Sequence, residues 1–186
     1  MDIPVTLALF LAGSLLLAAI SWRSLRQPGS HGVPRFLAWE GILALLVVNG
    51  PVWFDDRYAP HQLVSWCLLK TSLVVLAAGL FQLKSRGRPQ AGSRGDASLY
   101  AFEQTTVLVD SGIYAWVRHP MYLSLMLLAW GIAAKGVGPL TLVLALLVSV
   151  CLYLTARQDE KECLQHFGQP YADYMRRSRR FLPFVC

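Results

Sequence analysis

Five stretches of the chain, residues 3–22, 36–54, 61–83, 120–134 and 140–156, are too apolar to rest in water, and they decide most of what the sequence can become. In hydrocarbon every backbone N–H and C=O must find a partner inside the protein, so runs of roughly 20 apolar residues cross a bilayer as helices. The expected fold is an all-α membrane protein with five transmembrane helices and a C-terminal cytoplasmic or interfacial helical segment. A hydrophobic content of 55% and a mean hydropathy of +0.44 exclude an ordinary soluble domain. Residues 1–186 read as one integral membrane domain, with three helices in 1–83 and the functional region in 84–186. The segment before the first run holds Asp2 and no Lys or Arg, so that run is expected to be a retained helix rather than a cleaved signal peptide.

The polar residues inside and between the runs refine this picture. Pro28, Gly29, Gly32 and Pro34 break the chain after the first run, and Gly50-Pro51 predicts a kinked or frayed end to the second. Glu40, Asn49 and Lys70 fall within apolar runs. By helical rise Lys70 lies roughly 21 Å from the Lys84 end and Asn49 roughly 22 Å in from Pro34, so Asn49 is the expected partner of Lys70, with snorkelling toward Asp55 and Asp56 as the other outcome. The four cysteines, Cys67, Cys151, Cys163 and Cys186, form no Cys-x-x-Cys pair. They read as packing residues, with neither a disulfide framework nor a zinc site, and no metal is expected. Cys186 is the last residue and does not fit a prenylation box.

The net charge of +6 is arranged for a membrane rather than for nucleic acid, because the cations flank apolar spans. With five spans, one face receives 23–35, 84–118 and the C-terminal segment, which hold Arg23, Arg26, Arg35, Lys84, Arg86, Arg88, Arg94, Arg118, Arg157, Lys161, Arg176, Arg177, Arg179 and Arg180. The other receives only Arg57 and Lys135. The positive-inside bias predicts an outside N-terminus and a cytoplasmic C-terminus. It also places residues near 118 and near 159 on the same face.

The densest chemistry lies in Gly112-Ile-Tyr-Ala-Trp-Val-Arg-His-Pro-Met-Tyr122. Pro120 suits the first position of a helix, with His119 at the cap. The unpaired N–H groups of Met121 and Tyr122, the helix dipole and Arg118 make a site for an anionic group. The competing reading is that Arg118 and His119 only anchor a membrane helix. Upstream, 84–111 begins Gly-, Arg- and Pro-rich and closes on an approach segment ending in an Asp110-Ser111-Gly112 turn. Beyond 156 the chain carries Arg157, Asp159, Glu160, Lys161 and Glu162, then aromatics, four arginines between 176 and 180 and an apolar tail; a helix leaving the membrane and folding back along its surface fits this mix. There is no Gly-x-Gly-x-x-Gly after a strand, no nucleophile elbow and no His-Glu-x-x-His.

Taken together, Gly112-Ile-Tyr114, Arg118-His119-Pro120-x-Tyr122, Asp159-Glu160, Phe167-Gly168, Tyr171, Tyr174, Arg180 and Pro183 closely resemble the isoprenylcysteine carboxyl methyltransferase and phospholipid methyltransferase superfamily of integral membrane enzymes. The resemblance covers 105–183 and leaves the first three helices without a matched motif. It implies S-adenosylmethionine bound on the cytoplasmic side by Leu108, Val109, Tyr114, His119, Pro120, Met121, Tyr122, Asp159 and Glu160. Arg118 or the helix start would face the methionyl carboxylate, and Asp159 or Glu160 the amine or ribose hydroxyls. Methyl transfer from a sulfonium is an in-line displacement that needs alignment rather than an enzyme nucleophile. Arg118 and Arg157 are the candidate catalytic residues, Arg157 by orienting an acidic acceptor. The family usually carries Glu-Glu where this chain has Asp159-Glu160 and often a His where it has Thr106; the arginine before the acid pair in prenyl-protein methyltransferases falls, on an ungapped match, at Thr155, two residues from Arg157. The implied acceptor is lipophilic and drawn from the bilayer: a prenylcysteine-like carboxylate, a phospholipid amine or a lipophilic thiol. An NADPH-dependent sterol-type reductase, which carries a similar Arg-His-Pro-x-Tyr stretch, and a non-enzymatic lipid-binding protein are the alternatives.

Overall fold

The computed structural model describes residues 3–27, 29–90 and 103–181, and these form helices and no strand. Arg94, Pro183, the apolar tail and Cys186 lie outside them. Six helices follow in order: α1 (Ile3–Leu25), α2 (Gly32–Asn49), α3 (Pro60–Arg86), α4 (Pro120–Ala133), α5 (Pro139–Phe167) and α6 (Gln169–Arg177). Four of them, α1, α2, α3 and α5, are long and apolar enough to cross a membrane. The fifth expected span is α4, whose 14 residues reach about 21 Å, short of the roughly 30 Å hydrocarbon thickness. Five crossings thus resolve into four full-length helices and one that begins late, at the site.

The helix boundaries differ from the apolar runs at α2 and α5. α2 starts at Gly32 rather than 36, because Pro34 falls in the first turn, where its missing N–H has no intrahelical partner to lose. At its far end Gly50-Pro51 does end the helix, in a 3-10 turn over Gly50–Val52. α5 runs unbroken through the charged residues to Phe167; 29 residues make about 43 Å, so its last turns project beyond the bilayer. Gly168, at φ +62°, then reverses the chain into α6, which folds back as expected.

The core lies between α2, α4 and α5. Ala38, Ile42 and Leu45 meet Ala129, Ile132, Ala145, Val148 and Leu152, spaced three to four residues apart so that each helix offers one stripe. α3 packs on α4 through small residues. Ser65 and Ser72 donate hydroxyl bonds of 2.6 and 2.7 Å to the carbonyls of Gly131 and Ser124, and a Cβ on Gly131 would press into Leu69. α1 faces outward except along α2, where Ser14 donates to Glu40 at 2.6 Å.

The intramembrane pairing of Lys70 with Asn49 does not form. α3 packs against α4 and leaves Lys70 exposed, while the buried Asn49 amide donates to the Leu45 carbonyl at 3.0 Å. The buried lysine is Lys135, in the α4–α5 turn. Its ammonium donates to Gln62 at 2.9 Å and lies 3.6 Å from the centre of the Trp66 ring.

Candidate functional site

The site is built where two distant segments meet at one end of the helices. Approaching α4, Gly112 adopts φ +62°, and a Cβ there would collide with the Gln82 side chain of α3, which accepts the Ile113 N–H at 3.1 Å. A 3-10 turn over Gly112–Ala115 buries Tyr114. Residues 116–119 then pair with the chain leaving α6: the N–H groups of Arg118 and His119 donate to the carbonyls of Arg179 and Arg180 at 2.7 and 3.3 Å, and Arg179 N–H returns a bond to Trp116. From α6, the Tyr174 hydroxyl donates to the Tyr114 carbonyl at 2.7 Å.

Glu160 is the electrostatic centre of this junction. Its carboxylate accepts Arg118 Nε at 3.0 Å, Arg180 Nε at 3.0 Å and Nη2 at 2.6 Å, and lies 3.3 Å from His119 Nε2. Arg118 reaches on to the carbonyls of Met175 and Ser178. Asp159, the next residue on α5, is turned about 100° around the helix. It accepts the Tyr122 hydroxyl at 3.3 Å and lies 3.5 Å from His119 Nδ1. His119 therefore stands between two acids, one at each ring nitrogen. Burial alone would lower its pKa, but the bonds to Asp159 and Glu160 outweigh that and raise it above the ordinary value. Burial also raises Tyr171 and Tyr174, so both stay phenols.

Beside this junction opens a cleft of about 640 Å³, counting the part open to solvent. Its apolar wall includes Leu83, Leu108, Val109, Phe167 and Tyr171; its polar groups include Glu103, Asp159 and Tyr122, and the start of α4 at Pro120 and Met121 faces it. His31, Asp159 and Glu162 bring an imidazole and two carboxylates within 4.8 Å of one another nearby, but His31 is already bonded to Glu162 through its Nδ1 at 2.6 Å and its backbone N–H at 3.1 Å, the geometry of an ion pair.

Residues 71–169, just over half of the chain and including most of this cleft, match the family model for phospholipid methyltransferases. The chain belongs to the phospholipid methyltransferase family. It is 30% identical over 130 residues to the protein-S-isoprenylcysteine O-methyltransferase of Rattus norvegicus, covering 66% of this chain and 46% of the rat protein. It is 31% identical over 71 residues to the methanethiol S-methyltransferase of Pseudomonas deceptionensis, covering 38% of this chain and 26% of that one. A 124-residue stretch is 30% identical to the delta(14)-sterol reductase of Mus musculus, covering 64% of this chain and 30% of the reductase. The chain thus spans less than half the length of each of these three relatives.

Within this phospholipid methyltransferase fold, Leu108, Val109, Tyr114, Arg118, His119, Pro120, Met121, Tyr122 and Asp159 all line the one cleft. Glu160 stands behind its wall, nearly inaccessible, and Arg157 is exposed on another side of α5. Leu83, Glu103, Thr105 and Cys163 line the cleft without having been singled out as site residues. Thr105 opens the approach segment and Cys163 sits one helical turn beyond Asp159, so those two had a local signal. Glu103 had none, because its salt-bridge partner, Arg35, is 68 residues away.

Proposed function

We propose that this member of the phospholipid methyltransferase family transfers a methyl group from S-adenosylmethionine to a lipophilic acceptor at the membrane surface. The observation that carries the reading is the closure of the segments around 103–122 and 159–174 over one cleft at the end of the bilayer helices. The cleft suits an amphiphilic sulfonium nucleoside. Phe167 and Tyr171 offer ring faces for a base, Asp159 accepts from an amine or hydroxyls, and the unpaired first-turn N–H groups of α4 suit a carboxylate. Bound there, the donor supplies an activated methyl on a positive sulfur. The chain aligns it, excludes water with its apolar wall, and holds Tyr122 and His119 fixed through Asp159 and Glu160.

In this reading Arg118, spent on Glu160 and two carbonyls, fixes the cleft wall, and the α4 start meets the donor carboxylate. Arg157, at the end of the apolar part of α5, is placed to meet an anionic acceptor at headgroup level. The excess of cations at the cleft end supports a cytoplasmic cleft and an outside N-terminus. A prenylcysteine carboxylate, a phospholipid amine and a lipophilic thiol remain the acceptor classes, drawn from the surrounding lipid.

The likeness to a sterol reductase favours a second reading, a reductase using NADPH, and one experiment separates the two. Calorimetric titration of the purified full-length chain in detergent with S-adenosylhomocysteine and, separately, with NADPH is expected to give saturable heat with the first alone. A panel of the three acceptor classes with labelled S-adenosylmethionine then identifies the product. NADPH binding without S-adenosylhomocysteine binding would overturn the proposal.

A further inference from the structure

Arg35 lies in the first turn of α2, outside the family-matched span, yet it is almost wholly buried. Its guanidinium meets Glu103 at 3.2 Å and is steadied by Ser24 Oγ of α1, also at 3.2 Å. Glu103 lines the cleft, whereas Arg35 does not, so Arg35 approaches the carboxylate from behind the wall. Glu103 thus brings a carboxylate, paired with Arg35, into the lining of the cleft. Around this pair the α1–α2 turn is docked onto α5. His31 gives Glu162 both its backbone N–H and its Nδ1, and the Gln158 amide donates to the Gly29 carbonyl. The pair is therefore tied to α1 on one side and its helical turn to α5 on the other.

Resting on the methyltransferase reading, we propose that Glu103 is a donor-binding residue and Arg35 the positioning residue that holds its carboxylate in the cleft. The ligand chemistry is an N–H or O–H donor on the cofactor, from its ammonium or its ribose hydroxyls. The helical hairpin that carries no family motif thereby completes the donor site, and donor affinity depends on Arg35, which lies outside the family-matched span.

The test is S-adenosylhomocysteine affinity of the full-length chain in detergent for wild type, Glu103→Gln, Arg35→Lys, Arg35→Met and the Arg35→Lys/Glu103→Gln double variant. Glu103→Gln is expected to weaken binding about tenfold, as for one lost hydrogen bond to a charged group, and Arg35→Lys by less, since lysine keeps the charge without the fork. Arg35→Met should lose more than Arg35→Lys; if it fails to fold, the other variants still decide. In turnover, KM for the donor rises while kcat and the acceptor KM hold. A positioning role makes Arg35→Lys nearly silent in the Glu103→Gln background, whereas a structural role makes it cost the same in both. The exposed Arg176→Gln serves as control, expected within about twofold of wild type. A loss that persists with the deaminated ligand assigns the ribose hydroxyls, and one that vanishes assigns the ammonium. Wild type that binds while Glu103→Gln binds equally well would overturn this inference alone; wild type that does not bind would sink the methyltransferase reading with it.

Discussion

Glu160→Gln asks whether the adjacent acids of α5 divide their labour. Glu160 accepts from Arg118 and Arg180 and touches His119, and these three side chains are 9%, 21% and 5% exposed. Glutamine keeps the volume and one acceptor oxygen but removes the charge that lets the cations share a buried site. Breaking a buried pair in this way typically costs about 3–5 kcal/mol. Two reliefs pull the figure to the lower end: Arg180 can swing toward solvent, and His119 can release its proton. About 3 kcal/mol, at about 2–4 °C per kcal/mol for a chain of this size, lowers the melting midpoint by about 6–12 °C. Tryptophan fluorescence on heating in detergent reads the change. Asp159→Asn removes a charge from the cleft instead, where contacts of 3.3–3.5 Å leave less stability to lose. It should weaken S-adenosylhomocysteine at least about tenfold while shifting the midpoint by less than half as much. A Glu160→Gln protein melting within about 2 °C of wild type would refute the assignment of Glu160 as the hub.

Three further outcomes test other parts of the structure. Burial lowers the pKa of His31, but the bond to Glu162 and the field of Asp159 outweigh burial and the nearby Arg35, leaving it raised; its stabilisation is complete below about pH 6.5 and is lost as pH rises through the higher folded value. His31→Gln should therefore flatten the fall of the melting midpoint between neutral and mildly alkaline pH, and an unchanged slope would count against the ion pair. Gly168→Ala forces a Cβ into φ +62°, ψ −134° and should cost about 1–3 kcal/mol, with α6 loosened and donor affinity reduced in the same titration. Lys135→Met strands the Gln62 carbonyl oxygen at the far end of α4 and should cost about 1–3 kcal/mol in melting, yet leave S-adenosylhomocysteine affinity within about twofold of wild type.

What could be read from the sequence follows from the range of the interactions involved. Helices in lipid are dictated by local composition, so the apolar runs marked α1 to α5, and proline with its fixed φ marked the start of α4 at the correct residue. The fold-back after α5 was expected from composition, and the structure puts its reversal at Gly168. Position along and around a helix was not legible. Lys70 and Asn49 were placed at one level and do not meet: Asn49 lies beside Gly136 of the α4–α5 turn, where Gln62 of α3 meets Lys135, and Lys70 is about 12 Å farther along α3. The same limit governs the acids. Asp159 and Glu160 read as one unit, yet neighbours on a helix point about 100° apart, and that rotation sends one carboxylate into the cleft and the other behind it. Arg118 looked like a ligand because it stands beside a helix start, and only the return of 175–180 shows where its guanidinium is spent. Arg35 and Glu103 make the strongest case: each is unremarkable among its sequence neighbours, and both acquire meaning from a contact across 68 positions. A motif therefore locates the cleft in a chain of this kind, while the division between residues that touch the ligand and residues that hold them is written in helix rotation and long-range pairing.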